Sequence, residues 1–192
     1  MLLELRTYDM KPGKAPAYLT QFRTQGVGLV TRHLPMLGYW LVDTGRLNRI
    51  EHLWAYASFE ERDACRASLA QDAEWMEGFI PTAFEHVVAQ SNRLMQIEKS
   101  SPALKDAIAQ RKAHHANQAA DSPMLAQSLH ALEVGANPDN GVGLIGQFRV
   151  VSGDCPGQII SLRSGAFADL CTAATGSLSQ EILRPLSLSP LR

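Results

Sequence analysis

Gly38-Tyr39-Trp40-Leu41-Val42-Asp43-Thr44-Gly45-Arg46-Leu47-Asn48-Arg49-Ile50-Glu51-His52-Leu53-Trp54-Ala55-Tyr56 is the stretch that decides the fold. It reads as two strands joined by a turn at Gly45-Arg46-Leu47-Asn48, where Gly is free to take positive φ and Asn tolerates it. The flanks are rich in aromatic and β-branched residues, which suit a pleated surface. Successive side chains alternate between faces. Ile50, His52, Trp54 and Tyr56 therefore share one face of the second strand, and Leu53 and Ala55 the other. On the first strand Trp40 and Val42 lie opposite Tyr39 and Leu41. Both faces carry apolar bulk, so both are expected to be covered.

Upstream, residues 2–8 alternate as a half-buried strand, with Leu3 and Leu5 on one face and Glu4, Arg6 and Tyr8 on the other. Pro16 suits the first turn of a helix. Tyr18, Leu19, Phe22, Leu29, Val30 and His33 keep helical spacing up to Pro35. Gly26 and Gly28 weaken this helix and leave room for a close approach to the sheet. Downstream, Ser58 to Glu61 forms a capping box that starts a helix running to about Leu69. Asp72 caps a second short helix through Phe79, stopped at Pro81. Phe84 to Ile97 reads as one long strand. The order strand, helix, strand, strand, helix, strand is the ferredoxin-like α+β arrangement, here assigned to residues 1–98.

Residues 99–123 read as a helical linker, with a helix from Ser101-Pro102 to about Ala119 whose apolar stripe is too thin for a core element. Residues 124–192 echo the first half. Gly146 to Gly153 repeats Gly38 to Gly45 at a constant offset, Gln158 to Leu162 follows Arg49 to Leu53, Phe167 to Ala174 follows the helix after Ser58, and Ile182 to Leu186 follows the strand around Arg93. Leu129 to Val134 stands for the first strand. Only nine residues, Gly135 to Gly143, then precede the next strand, too few for the first helix. The second half is thus expected to be a degenerate repeat. It is also poor in aromatics: only Phe148 and Phe167 lie after residue 100.

The chain has 192 residues and a formal charge of −1. That balance offers no electrostatic footprint for nucleic acid or an anionic membrane. Apolar runs are short, so no membrane span is expected. The start lacks a signal-peptide pattern, and Cys65, Cys155 and Cys171 show no metal or CxxC spacing. A cytoplasmic protein with reduced thiols is expected. His114-His115 has no acid or thiol at ligand spacing, so neither metal nor cofactor is expected. Gly141-Val142-Gly143 is too short for a nucleotide loop.

Glu4-Leu5-Arg6-Thr7-Tyr8, Lys11-Pro12-Gly13-Lys14, Arg32-His33, Gly38-Tyr39-Trp40, Gly45-Arg46-Leu47-Asn48 and His52-Leu53-Trp54-Ala55-Tyr56, with Arg62 beyond, occur in an order and spacing that resemble the NIPSNAP family over about residues 2–97. The second half resembles a worn copy with Ser161 and Arg163 in place of the HxW pair. The resemblance implies a dimeric α/β barrel, in which two ferredoxin-like sheets close on each other, either between chains or between the two repeats of one chain. The missing helix favours pairing of N-terminal halves between chains, and hence a homodimer or higher oligomer. The resemblance also implies a small organic ligand inside the barrel or beneath its sheet.

Helices require an apolar face, which on the first strand holds Leu3 and Leu5. The polar face is therefore expected to line the barrel or the interface. A pocket framed by Arg6, Tyr8, Trp40, His52 and Trp54, with His33 nearby, would offer a cation, a phenol, an imidazole and two flat walls to a planar acid or phenol. His52 is the candidate general base. The bland alternative has Glu4 and Arg6 in cross-strand ion pairs, a hydrogen-bonded His52 and tryptophans that only pack. His33, at a helix C-terminus, suits the dipole there. Three functions stay open: a small-molecule-binding barrel, a cofactor-independent monooxygenase or isomerase acting on a small aromatic compound, and a scaffolding dimer.

Overall fold

In the computed structural model, residues 1–135, 143–174 and 176–192 are described. The first half builds β1 (Leu2–Met10), β2 (Met36–Thr44), β3 (Arg49–Tyr56) and β4 (Val87–Ser100); the second builds β5 (His130–Val134), β6 (Leu144–Gly153), β7 (Ile159–Ser164) and β8 (Ser179–Pro185). The β2–β3 turn has the anticipated chemistry, with Gly45 at φ 106° and Asn48 at φ 57°. The eight strands close into a barrel in the order β1-β3-β2-β8-β5-β7-β6-β4. Each half has one internal order, 4-1-3-2 and 8-5-7-6. The two are joined by antiparallel β2–β8 and β4–β6 pairs.

This corrects the expectation that N-terminal halves pair between chains. The edges β2 and β4 already have partners within the chain, so the barrel is complete in one molecule. The second half needs no counterpart of the first helix for this. A β-strand edge is satisfied by backbone pairing alone.

Helices α1 (Ala15–Gln21) and α2 (Val27–Val30) are joined by a π-helical segment, Phe22–Gly26. Helix α3 (Phe59–Ala70) opens on the anticipated cap, with Ser58 accepting from the Glu61 N–H. A second π-helical segment, Glu74–Phe79, runs into α4 (Ile80–Ala83). Pro81 thus does not stop the helix. It sits in the first turn of α4, where no N–H is needed. Gly26 permits a helix–helix rather than a helix–sheet approach: a Cβ there would stand 2.6 Å from the Phe79 ring. Helix α5 (Pro102–Ala109) is shorter than expected, and it is not a bare connector. Leu104 and Ala107 are buried in the barrel core. Beyond it the chain forms a strap across α1 and α2, where Arg23 donates to the Ala119 and Ala120 carbonyls and Asn117 accepts from the Gly28 N–H. His114 bonds the Gly28 carbonyl in this strap. Helix α6 (Phe167–Ala173) is the second half's short helix. Gly141 and Val142 lie outside the described residues. Among those described, no helix is long and apolar enough to cross a membrane, and no group of three metal-ligating side chains occurs.

The faces are assigned the other way round from the expectation. Leu3, Leu5, Trp40, Leu53, Phe148 and Leu162 fill the barrel, leaving a void of about 10 Å³. Tyr8, Tyr39, Trp54 and Tyr56 face the helices. A closed barrel of this size must be filled by side chains, and Leu3 and Leu5 fill it at no desolvation cost.

Glu51 faces the barrel, with both oxygens 2.9 Å from the Thr7 hydroxyl. Burial, then the charge of Glu181, push its pKa up to about 8, against the Thr7 hydrogen bond and the charges of Arg93 and Arg49. The folded chain therefore holds a proton that the unfolded chain releases near pH 4.5. Stability from this group is full below that pH and falls as pH rises toward 8. Glu51→Gln cannot ionise. It is expected to gain about 3 kcal/mol on the wild type between pH 5 and pH 8, read from urea unfolding at both values. Parallel pH profiles would refute the assignment.

Candidate functional site

Strand pairing builds the site. Arg6 on β1 lies opposite His52 on β3, Glu4 lies opposite Trp54, and Tyr39 on β2 flanks His52 from the other side. Arg6, Tyr39, His52 and Trp54, under a roof of Tyr18, Phe22, Leu69 and Trp75, enclose a cavity of about 30 Å³. His52 is only 3% exposed. Its ring stacks on Tyr39 at 4.7 Å and meets Tyr8 edge-on at 4.6 Å. Tyr39 in turn shares a 3.0 Å hydrogen bond with Tyr18 of α1, which fixes the phenol wall.

The state of His52 follows from its partner. The Trp54 indole Nε1–H can only donate, and it donates to His52 Nδ1 at 2.6 Å. Neutral His52 therefore carries its proton on Nε2. That atom is buried with no partner, as is Arg6 Nε. Burial first, then the charges of Arg6 and Arg66, hold the His52 pKa well below its ordinary value. At neutral pH the imidazole is an uncharged hydrogen-bond donor.

Behind it lies a charged cluster. Glu4, with no exposed surface, accepts from Arg6 at 3.3 Å, Arg62 at 2.9 Å, Arg66 at 2.7 Å and Asn92 at 2.7 Å. Burial pushes its carboxyl up, but the Arg62 bond, the Arg66 charge and the Asn92 bond outweigh this and hold the pKa at about 2. The Glu4–Arg6 pair lies along one strand rather than across two, and the cross-strand and helical partners are Asn92, Arg62 and Arg66.

Of the residues expected at one site, Arg6, Tyr8, His52 and Trp54 come together. Trp40 does not. It is buried on the opposite face, inside the barrel, with its Nε1 donating to His130 Nδ1 at 3.0 Å. The four-residue turn pairs odd with even positions, so Tyr39, not Trp40, shares the His52 face. His33 stands outside the cavity. Its Nδ1 is 2.8 Å from Ser68 Oγ and its Nε2 2.9 Å from Asp72 Oδ2. This Ser-His-Asp chain resembles a hydrolytic triad in its contacts alone. Ser68 lies in the last turn of α3, where a helix presents carbonyls rather than the N–H groups an oxyanion needs. Tyr18, Tyr39, Arg66 and His130 were not anticipated. Arg66 is legible as the i+4 mate of Arg62, on the same helix face. His130 carries no local signal, since its partner lies 90 residues away.

The family model that matches this chain is NIPSNAP, over residues 3–102. The chain belongs to the NIPSNAP family. The NIPSNAP segment holds every side chain of the cavity and of the Glu4 cluster. Protein NipSnap homolog 3B of Mus musculus is 46% identical over 78 residues, which are 40% of this chain and 31% of that protein. The chain thus spans about a third of the length of that relative. The NIPSNAP family protein Atu4242 from Agrobacterium tumefaciens matches at 34% identity and a TM-score of 0.51, covering 53% of this chain and 98% of that one. An anthrone oxidase-like protein covers 96% of this chain and 90% of its own at a TM-score of 0.51 and 8% identity, a likeness of fold alone. Ser161 lies opposite Glu133 as His52 lies opposite Arg6, and Arg163 pairs with Glu133 at 3.0 Å.

Proposed function

We propose that this NIPSNAP protein binds a small organic molecule beneath its helix layer rather than inside its barrel, and that the second half is a degenerate repeat that supplies the missing sheet. The observation that carries the reading is His52: a buried imidazole whose Nε2–H has no acceptor, aimed into an aromatic-walled cavity. A buried donor without a partner costs about 1–3 kcal/mol, so an occupant that accepts from it is stabilising. Ligand pockets usually measure hundreds of Å³, and the closed cavity is far smaller. Both roof helices carry π-helical segments, a feature that recurs at functional sites, and these segments meet at Gly26 and Phe79. Movement there would enlarge the cavity.

With Nδ1 engaged by Trp54 and the proton on Nε2, His52 is better suited to hold a ligand than to abstract a proton. That favours binding over the oxygenase or isomerase alternative. The filled barrel favours the scaffolding alternative, so the test must separate the two. Gentle native mass spectrometry of protein purified from its source cells is expected to show a reproducible small adduct, released on denaturation and lost in His52→Phe. An adduct-free mass for both proteins would overturn the binding reading.

A further inference from the structure

The cavity carries more positive charge than its own acid can neutralise. Arg6, Arg62 and Arg66 all converge on Glu4, with side chains only 14–25% exposed. Glu4 supplies one negative charge. The other acid in the cluster, Asp63, pairs with Arg62 at the surface and is 57% exposed. Arg6 and Arg66 also line the cavity. Next to them stand the two buried donors already described, Arg6 Nε and His52 Nε2, on directly paired residues of β1 and β3. Every one of these groups donates and none accepts.

Resting on the binding reading above, we infer that the group seated against Arg6 and His52 is an anion, the carboxylate of a small organic acid. A neutral carbonyl would satisfy the donors but leave the charge. A cation would meet guanidinium on one side and N–H on the other. Metal ligation is unsuited to His52, whose one acceptor nitrogen already takes the Trp54 proton. A carboxylate satisfies both needs, because charge-assisted hydrogen bonds to guanidinium are the strong ones. The ring walls of Tyr8, Tyr39, Trp54 and Trp75 then lie where a planar body attached to that carboxylate would sit. Arg6 is the specificity residue of this arrangement. Its other two nitrogens are held by Glu4 and Gln90, which fix the plane of the fork.

The test uses the full chain at neutral pH and constant ionic strength. Thermal unfolding and tryptophan fluorescence are followed while sodium benzoate, sodium formate, sodium chloride or neutral benzamide is added. Benzoate is expected to raise the melting temperature saturably and to bind roughly tenfold or more tightly than benzamide. Arg6→Lys keeps the charge but loses the fork. It is expected to fold normally and to weaken benzoate by about tenfold. Benzamide binding as well as benzoate would overturn the anion and leave the pocket standing. Formate and chloride matching benzoate would overturn the organic acid in favour of a free-anion site. No response to any of the four, with Arg6→Lys melting like the wild type, would overturn the anion and the pocket together.

Discussion

Trp40→Ala is expected to lower the unfolding free energy by about 3–5 kcal/mol, read from urea or thermal unfolding. Trp40 is 1% exposed and is the largest side chain in the barrel interior. Its ring lies so close over Gly38 that a Cβ there would stand 2.0 Å from it. Truncation removes that ring from a barrel whose remaining void is about 10 Å³, so the neighbours cannot collapse into the gap without moving backbone. It also strips His130 Nδ1 of its donor, in a site where burial has already pushed the His130 pKa down to about 4. Trp40 sits between Glu51 on β3 and Pro185 on β8, at a seam between the two halves. The loss should therefore destabilise both halves in one transition. A loss below about 1 kcal/mol would mean that the barrel is not closed within the chain.

Glu4→Gln should cost a comparable amount, about 3–5 kcal/mol, for a different reason. The amide keeps the volume and the Asn92 contact but leaves three guanidinium groups in a half-buried cluster without their counter-charge. The pH dependence identifies the cause. The folded pKa of about 2 lies below the ordinary 4.5. The stability contributed by Glu4 is therefore fully present above pH 4.5 and is lost as pH falls toward 2. The variant should lack this acid limb, so its deficit is large at pH 7 and shrinks at pH 3. A deficit that does not change with pH would assign the loss to packing instead.

Glu4 and Glu51 show how far strand parity alone can be read. They sit on neighbouring strands, on opposite faces, and their pKa values are driven in opposite directions. Alternation places Glu4 with Arg6 and Tyr8, and His52 with Trp54, and the structure keeps those groupings. It does not say what surrounds either face. Three guanidinium groups converge on one carboxyl, and the other is shut among Leu5, Trp40 and Phe148. Of these neighbours only Arg6 is local in sequence.

The chain order of strands and helices, the Gly45–Asn48 turn, the Ser58 cap and the NIPSNAP pattern were all set by local residues, because turn dihedrals, caps and periodicity depend on neighbours a few positions away. Tertiary structure decided the rest. It turned Leu3 and Leu5 into the barrel and the polar face under the helices, since a closed barrel must be filled. It separated Trp40 from His52, since hairpin register assigns each residue its face. It closed the barrel within one chain, since the backbone edges of β2 and β4 find partners more than 45 residues away whose side chains carry no signature of that pairing. Alternating sequences present two apolar faces equally well, and only the layers packed against them determine which face is inside.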